Sequence, residues 1–316
     1  MSQQGMDVRT TARRPVPVIF NPGAGQKVRL SADGELTAES LGGLLESVGM
    51  RADVMLAESG GEAGRLAQAA LADGHRLLIA AGGDGTIGAV ADEMLQTDAT
   101  LGILPLGSVM NIPRSLDIPR DIQAAAAVLA GGEVRRIDVG MANGRPFYEA
   151  ASVGMSTALF RAAERAEAGD YPSVWRSLWL ALRYRPARMQ LTLDDQQVNV
   201  RSLMVTVSNG PYTGIGLAVA PDARLDDGRF DVRVFSHFSK FELLRHLASI
   251  CFGRRRYAPQ VATYRAARVR IDSRRPLACR VDGRELGPTP VECEVMPAAL
   301  RVIAGEPEPP ASEVTT

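Results

Sequence analysis

Gly82-Gly83-Asp84-Gly85-Thr86 combines backbone freedom with a single carboxylate, which suits chemistry at a phosphate. The apolar run Leu77 to Ala81 precedes it, and Ile87, Val90 and Met94 follow at the spacing of one helical face. The turn therefore joins a buried strand to a helix. Glycine lets a ligand approach the backbone, and the helix offers unpaired N–H groups and a partial positive charge to an anion. A carboxylate there repels a polyphosphate unless it binds a divalent cation or takes a proton from a nucleophile, and both belong to phosphoryl transfer. The plainer reading is a tight turn without a ligand. Its place between a strand and a helix favours the phosphate.

The elements that must hold this turn can be read on either side of it. Residues 1–13 form a loose polar tail. Val16 to Phe20 reads as a strand running into Asn21-Pro22-Gly23-Ala24-Gly25, a second strand-terminal glycine turn. A helix with Leu36, Leu41, Leu44, Leu45 and Val48 on one face follows, then a strand from Ala52 to Ala57, and then Glu58-Ser59-Gly60-Gly61-Glu62 opening a helix. After the central turn comes a strand from Thr100 to Leu104, ending in Pro105-Leu106-Gly107-Ser108. Four strands alternating with helices predict a doubly wound parallel α/β sheet, with ligands at the carboxyl ends of its strands. All four special turns lie at that edge.

Beyond about Val139 the pattern changes. Helices are expected at 121–130, 158–168 and 173–182, but most of the rest alternates with period two, as in Met189 to Leu193, Leu203 to Val207, Phe230 to Phe235 and Val269 to Ile271. Asp-Asp-Gly and Asp-Gly turns punctuate these runs. We therefore expect a nucleotide-binding domain over 14–138 and a mostly antiparallel, sandwich-like β domain over 139–305, with the active site in the cleft between them. The Pro- and Glu-rich residues 306–316 are an expected disordered tail.

A chain of 316 residues, 46% of them hydrophobic, can bury a core large enough for two domains. Cys251, Cys279 and Cys293 have no metal-ligand spacing, so reduced thiols of a cytoplasmic protein are expected and a zinc site is not. No signal peptide is recognisable, and no apolar run reaches the roughly 18 residues that span a bilayer. The net charge is zero and the only lysines are Lys27 and Lys240, followed by valine and phenylalanine, which excludes a Walker-type phosphate loop.

Asn-Pro-x-x-Gly at 21–25, Gly-Gly-Asp-Gly-Thr at 82–86, Pro-Leu-Gly-Ser at 105–108, Asp-Asp-Gly-Arg-Phe-Asp at 226–231 and Asp-Gly at 282–283 occur in an order that resembles the diacylglycerol kinase catalytic-domain family, bacterial lipid kinases similar to sphingosine kinases. The resemblance implies phosphorylation of a lipid hydroxyl by ATP with Mg2+. It implies that Asn21 and Gly25 contact the nucleotide and that Glu62 lies near its base or ribose. Gly82, Gly83, Asp84, Gly85 and Thr86 would surround the triphosphate, with Gly107 and Ser108 on a phosphate oxygen. Asp282 would be the base that deprotonates the acceptor, with Asp84 as the second catalytic carboxylate. Asp226 and Asp227 would belong to a magnesium-bearing loop.

Two positions depart from the family pattern. Pro-Leu-Gly-Thr-x-Asn-Asp-Phe-Ala is usual, whereas Ser108-Val109-Met110-Asn111-Ile112-Pro113 stands here. Methionine donates no useful hydrogen bond to phosphate, so either Asn111 takes over through a shifted loop or nucleotide affinity falls. Likewise Asp-Gly-Glu has become Asp282-Gly283-Arg284, with Glu285 one place late.

Residues 254–275 hold eight arginines against one aspartate, and Trp175 and Trp179 sit among Arg176, Arg183, Arg185 and Arg188. Both features suit peripheral docking on an anionic membrane that holds the lipid substrate, or else a solvated strand face and a core helix. No nucleic-acid module surrounds them. A homodimer is the expected assembly. The competing readings are an NAD kinase-like enzyme, which resembles this chain in the Gly-Gly-Asp-Gly-Thr turn, and a non-catalytic lipid or nucleotide binder.

Overall fold

The computed structural model describes residues 14–23, 36–155, 185–214, 216–236 and 261–306, together with Arg183 and Glu242. Gly25, the helices expected at 158–168 and 173–182 with Trp175 and Trp179, Cys251, Arg254, Arg255 and Arg256 lie outside the described residues, as do 1–13 and 307–316. The chain forms two units, one of residues up to Ile137 plus those from Ala299 onward, the other Asp138–Ala298.

In the first unit β1 (Val16–Phe20), β2 (Ala52–Leu56), β3 (Leu77–Gly82) and β4 (Thr100–Pro105) form a parallel sheet in the order β2-β1-β3-β4. Val18, Ile19, Leu78, Ile79, Ala80 and Ile103 are fully buried, as strands covered on both faces require. The helices α1 (Ala38–Ser47), α2 (Gly60–Ala72), α3 (Asp84–Met94), α4 (Asn111–Ser115) and α5 (Ile122–Gly131) alternate with the strands. Side chains of Thr37, Ser59 and Asp121 accept first-turn N–H bonds and start α1, α2 and α5. No side chain caps α3. From β1 the chain moves to β2 on one side, then crosses back to β3 on the other. This makes the β1/β3 boundary the point where strand order reverses, the usual ligand position in such sheets.

A fifth parallel strand comes from the far end of the sequence. In β15 (Val291–Ala304), Arg301 and Val302 pair with Thr100 and Leu101 of β4. The expected second domain ran to 305, whereas the residues from Ala299 onward belong to the first unit. Period-two alternation marks a strand without naming its sheet. The change of unit falls beside Pro297 and Ala298, whose φ of 50° bends the strand.

The second unit is antiparallel. β5 (Glu133–Ala142) pairs with β6 (Arg145–Phe147). β7 (Ala150–Gly154), β8 (Ala187–Leu193), β9 (Gln196–Ser208), β10 (Phe230–Ser236) and β11 (Val261–Ala266) pair around the long β9, whose first half takes β8 and whose second half lies between β7 and β10. β12 (Arg268–Ser273) joins β8 to β15, and the β13 (Ala278–Val281) and β14 (Arg284–Pro288) hairpin extends from β7. The inner faces bury Phe147, Leu191, Val205, Phe230, Val232 and Ile271. Cys279 and Cys293 are free thiols in this core, and burial pushes both pKa values up to about 12, so neither is a thiolate near neutral pH. An α/β parallel-sheet unit and a sandwich-like β unit are thus both present. Among the described residues no helix is long and apolar enough to cross a membrane.

Phe147 stacks on Phe230 with ring centroids 5.5 Å apart, and a Cβ at Gly140 would fall 2.2 Å from the Phe147 ring. Gly140→Ala should therefore cost about 1–3 kcal/mol through overpacking. Gly131→Ala, with open space at its Cβ, should be neutral or stabilising by up to about 1 kcal/mol. Urea midpoints of the two variants check this, and equal midpoints would refute it.

Candidate active site

Three turns converge at the carboxyl ends of β1, β3 and β4. Asn21 follows β1; its backbone N–H donates to Ala81 O at 3.0 Å and its Nδ2 to Thr86 Oγ1 at 3.2 Å, while its Oδ1 accepts from Gly23 N at 2.9 Å. Leu106 N donates to Gly82 O at 2.9 Å. A Cβ at Gly107 would lie 2.8 Å from Gly83 Cα, and one at Gly82 would lie 2.7 Å from Thr86 Cβ. Only glycines allow these turns to nest. At their centre the 11-residue α3 begins with Gly83 and no side-chain cap, beside exposed Gly85, so its first N–H groups are open to an anion. These residues fit a polyphosphate.

Asp84 is engaged by the protein's own backbone. It is half-buried and turned away from the opening of α3, its Oδ2 accepting from Asn111 N at 3.1 Å and its Oδ1 from Ile112 N at 3.0 Å. Burial raises its pKa, and the N–H bonds from Ile112, Asn111 and Met110 oppose that rise. The carboxylate is thereby spent on shaping the Pro105–Ile112 turn. Asn111 is itself 1% exposed, Met110 precedes it in the left-handed region at φ 57°, and Ser108 is exposed with its carbonyl accepting from Arg120 at 2.7 Å. Glu62 is engaged at the start of α2, where its Oε2 accepts from Glu58 N at 2.9 Å.

Asp282 lies in the second unit. With Gly283 it makes a two-residue hairpin turn in which both φ values are positive, 43° and 75°. Its Oδ2 accepts from Tyr148 N at 2.7 Å and its Oδ1 from Glu149 N at 3.0 Å and Ala150 N at 3.1 Å. At least three of a carboxylate's roughly four acceptor sites are thus engaged, and its orientation is fixed.

Asp226 and Asp227 meet arginines instead of forming a metal site. Arg224 holds Asp226 with two bonds of 3.0 and 3.3 Å, and Arg265 donates to Asp227. Among the described residues no group of three or more His, Cys, Asp or Glu side chains is placed to hold a metal. The pair does not fit magnesium. What positions this loop is Asp138, a buried residue that sequence reasoning missed: its Oδ2 accepts from Gly228 N at 2.6 Å and its Oδ1 from Ala298 N at 2.8 Å. A lone aspartate between Ile137 and Val139 in a strand pattern was the available signal.

Residues 15–142 match the family model described as the diacylglycerol kinase catalytic domain, and 151–304 match the YegS C-terminal NAD kinase beta sandwich-like domain. A Pseudomonas aeruginosa protein named "Probable lipid kinase YegS-like" is 30% identical over 260 residues, covering 79% of this chain and 85% of that one. A Bacillus subtilis protein named "Diacylglycerol kinase" is 28% identical over 291 residues, covering 87% and 91%. Among solved structures, a diacylglycerol kinase from Bacillus anthracis superposes with a TM-score of 0.72 at 21% identity, covering 92% of this chain and 97% of that one.

Asparagine cannot replace either anchoring aspartate without loss, because one of its two terminal atoms is a donor and would face a backbone N–H. Asp282→Asn and Asp84→Asn should each cost about 1–3 kcal/mol in equilibrium denaturation. An unchanged midpoint would refute the anchoring role. For Asp84 the pH dependence has a definite sign. Burial raises its folded pKa, so wild-type stability falls as pH rises from the ordinary carboxylate range through the folded value, whereas the asparagine variant has no such group to titrate. The stability gap between wild type and Asp84→Asn should therefore narrow as pH rises through that window.

Proposed function

The chain belongs to the diacylglycerol kinase family, and from that premise we propose that it is an ATP-dependent kinase acting on a hydroxyl of a diacylglycerol-like lipid. The observation that carries this reading is the uncapped N-terminus of α3, framed by three nested turns where the strand order reverses. The triphosphate lies against the N–H groups at Gly83 to Gly85, with the Gly107-Ser108 turn closing over a phosphate oxygen. Positively polarised amides here stabilise charge on the transferring group, and rigid turns position it, which is most of what phosphoryl transfer demands.

Asp282 takes the proton of the attacking hydroxyl. The lipid oxygen forms a bond to the γ-phosphorus, the bond from phosphorus to the bridging oxygen breaks, and ADP leaves. Three N–H donors weaken a carboxylate as a base, but a loose transition state asks little of base strength and much of position. The fixed orientation of Asp282 suits that demand. Asp84 acts through the turn it shapes and touches no substrate. Because Asp226 and Asp227 do not fit magnesium, no step is assigned to a metal held by them. An NAD kinase-like activity is the second reading, supported by the description of the family to which the β unit is matched.

Incubation with labelled ATP, magnesium as its counter-ion, and a panel of lipids and NAD separates these readings. Label should enter a lipid. Transfer to NAD alone, or to nothing, would overturn the proposal. Asp282→Asn, assayed well below its melting temperature, should lower kcat by about 10²–10⁴-fold and leave ATP affinity unchanged. Full turnover in that variant would remove Asp282 from the base role.

A further inference from the structure

The outer face of the β9-β8-β12 sheet carries a groove of about 650 Å³ lined by Arg188, Gln190, Asn199, Arg201, Asp272 and Arg274, among others. The opposite face of these strands buries Met189, Leu191, Leu193, Val269 and Ile271, so this face is the polar half of an ordinary alternation. Its charge is not ordinary. Arg188 stands directly opposite Arg201 across the β8/β9 ladder, and Ser273 pairs with Met189, which brings Arg274 level with Arg188 on the next strand. Like charges directly opposite each other destabilise a sheet.

Some guanidinium groups of this unit have carboxylate partners: Arg224 with Asp226, Arg233 with Asp231, Arg265 with Asp227, and Arg270 with Asp272 and Glu292. Arg188, Arg201 and Arg274 have no ion pair among the described residues. The groove's carboxylate, Asp272, is held by Arg270 through bonds of 2.8 and 3.2 Å. Three exposed positive charges are thus left facing one opening.

We propose that this groove binds the phosphates of an anionic lipid bilayer and docks the protein on it. Guanidinium forks match phosphate oxygens, and an anion relieves the repulsion built into the row. Neighbouring strands are about 4.8 Å apart, so three arginines side by side span about 10 Å, wider than a single phosphate and suited to adjacent headgroups. The lining includes no aromatic side chain on which a nucleic-acid base could stack. The choice of a lipid surface rests on the lipid-kinase reading; the anion-binding groove does not.

Sedimentation with phosphatidylcholine vesicles, with and without phosphatidylglycerol, tests the proposal. Wild type should partition to the anionic vesicles only, and less as salt rises. Arg188→Gln, Arg201→Gln and Arg274→Gln should each weaken partitioning about fivefold, and the triple variant about a hundredfold. Arg188→Lys should retain most of it. Arg188→Gln should keep or raise the melting temperature without vesicles, which separates lost binding from lost folding. The triple variant should phosphorylate detergent-dispersed lipid at the wild-type kcat. Wild-type partitioning by the triple variant would overturn the groove. So would equal binding to both vesicle types, or loss of inorganic phosphate or single-stranded nucleic acid binding with vesicle binding unchanged. If no lipid is phosphorylated but vesicle binding still depends on these arginines, the groove stands and only the kinase reading falls.

Discussion

Backbone meets backbone where β3 and β4 end, and the absence of two Cβ atoms makes that contact possible. Gly107 lies against Gly83, and Gly82 lies over Thr86, at distances no larger residue could adopt. The position of α3 follows from this, because its first residue is fixed by the nested turns and no side chain is left to cap it. Asn21 then ties the turn after β1 to the same place through Thr86. An uncapped helix start framed by glycine turns is the outcome of this packing. It needs no lysine, which agrees with a sequence whose two lysines are both outside any phosphate-loop context.

A second constraint recurs in both units: aspartates hold loops by accepting backbone N–H bonds. Asp84 takes two from the start of α4, Asp138 takes Gly228 and Ala298, Asp194 takes Ala267 and Arg268, and Asp282 takes Tyr148, Glu149 and Ala150. Charge-assisted bonds of this kind are roughly twice as strong as neutral ones, and each satisfies donors that a buried loop would otherwise leave unpaired. This explains why motif carboxylates look catalytic in a sequence. The same chemistry that makes a good base or metal ligand makes a good loop anchor, and only geometry separates them.

The strands of the parallel sheet from Val16 to Pro105 and four of the antiparallel ones, such as Phe230 to Phe235, were legible because each is a short apolar or alternating run. Strand order was less so. Residues 299–304 are a short, almost wholly apolar run like any buried strand, and nothing in that run names β4, from a distant part of the chain, as its partner. At the site, Asn21, Gly82, Gly83, Thr86 and Gly107 were readable because glycine and asparagine signal turns. Asp138 was not, since its partners lie 90 and 160 residues away in sequence. The Asp226-Asp227 pair misled because its arginines come from a neighbouring strand and from two residues upstream.

Met110 shows how the departure from the family pattern is accommodated. A left-handed backbone costs a non-glycine residue roughly 1–2 kcal/mol, and asparagine, usual there, bears it better than methionine. Here the side chain is 3% exposed, so apolar burial offsets the strain, while Asp84 holds the following two N–H groups in place. Position 110 thus carries a buried apolar side chain that donates no hydrogen bond to a phosphate. Asn111 does not supply one, because its side chain is turned into the protein and its N–H is given to Asp84. On the proposed reading, contact with the nucleotide from this turn falls to Gly107 and exposed Ser108. On that reading the close packing of the glycine turns carries a share of the binding that the side chain at position 110 cannot supply.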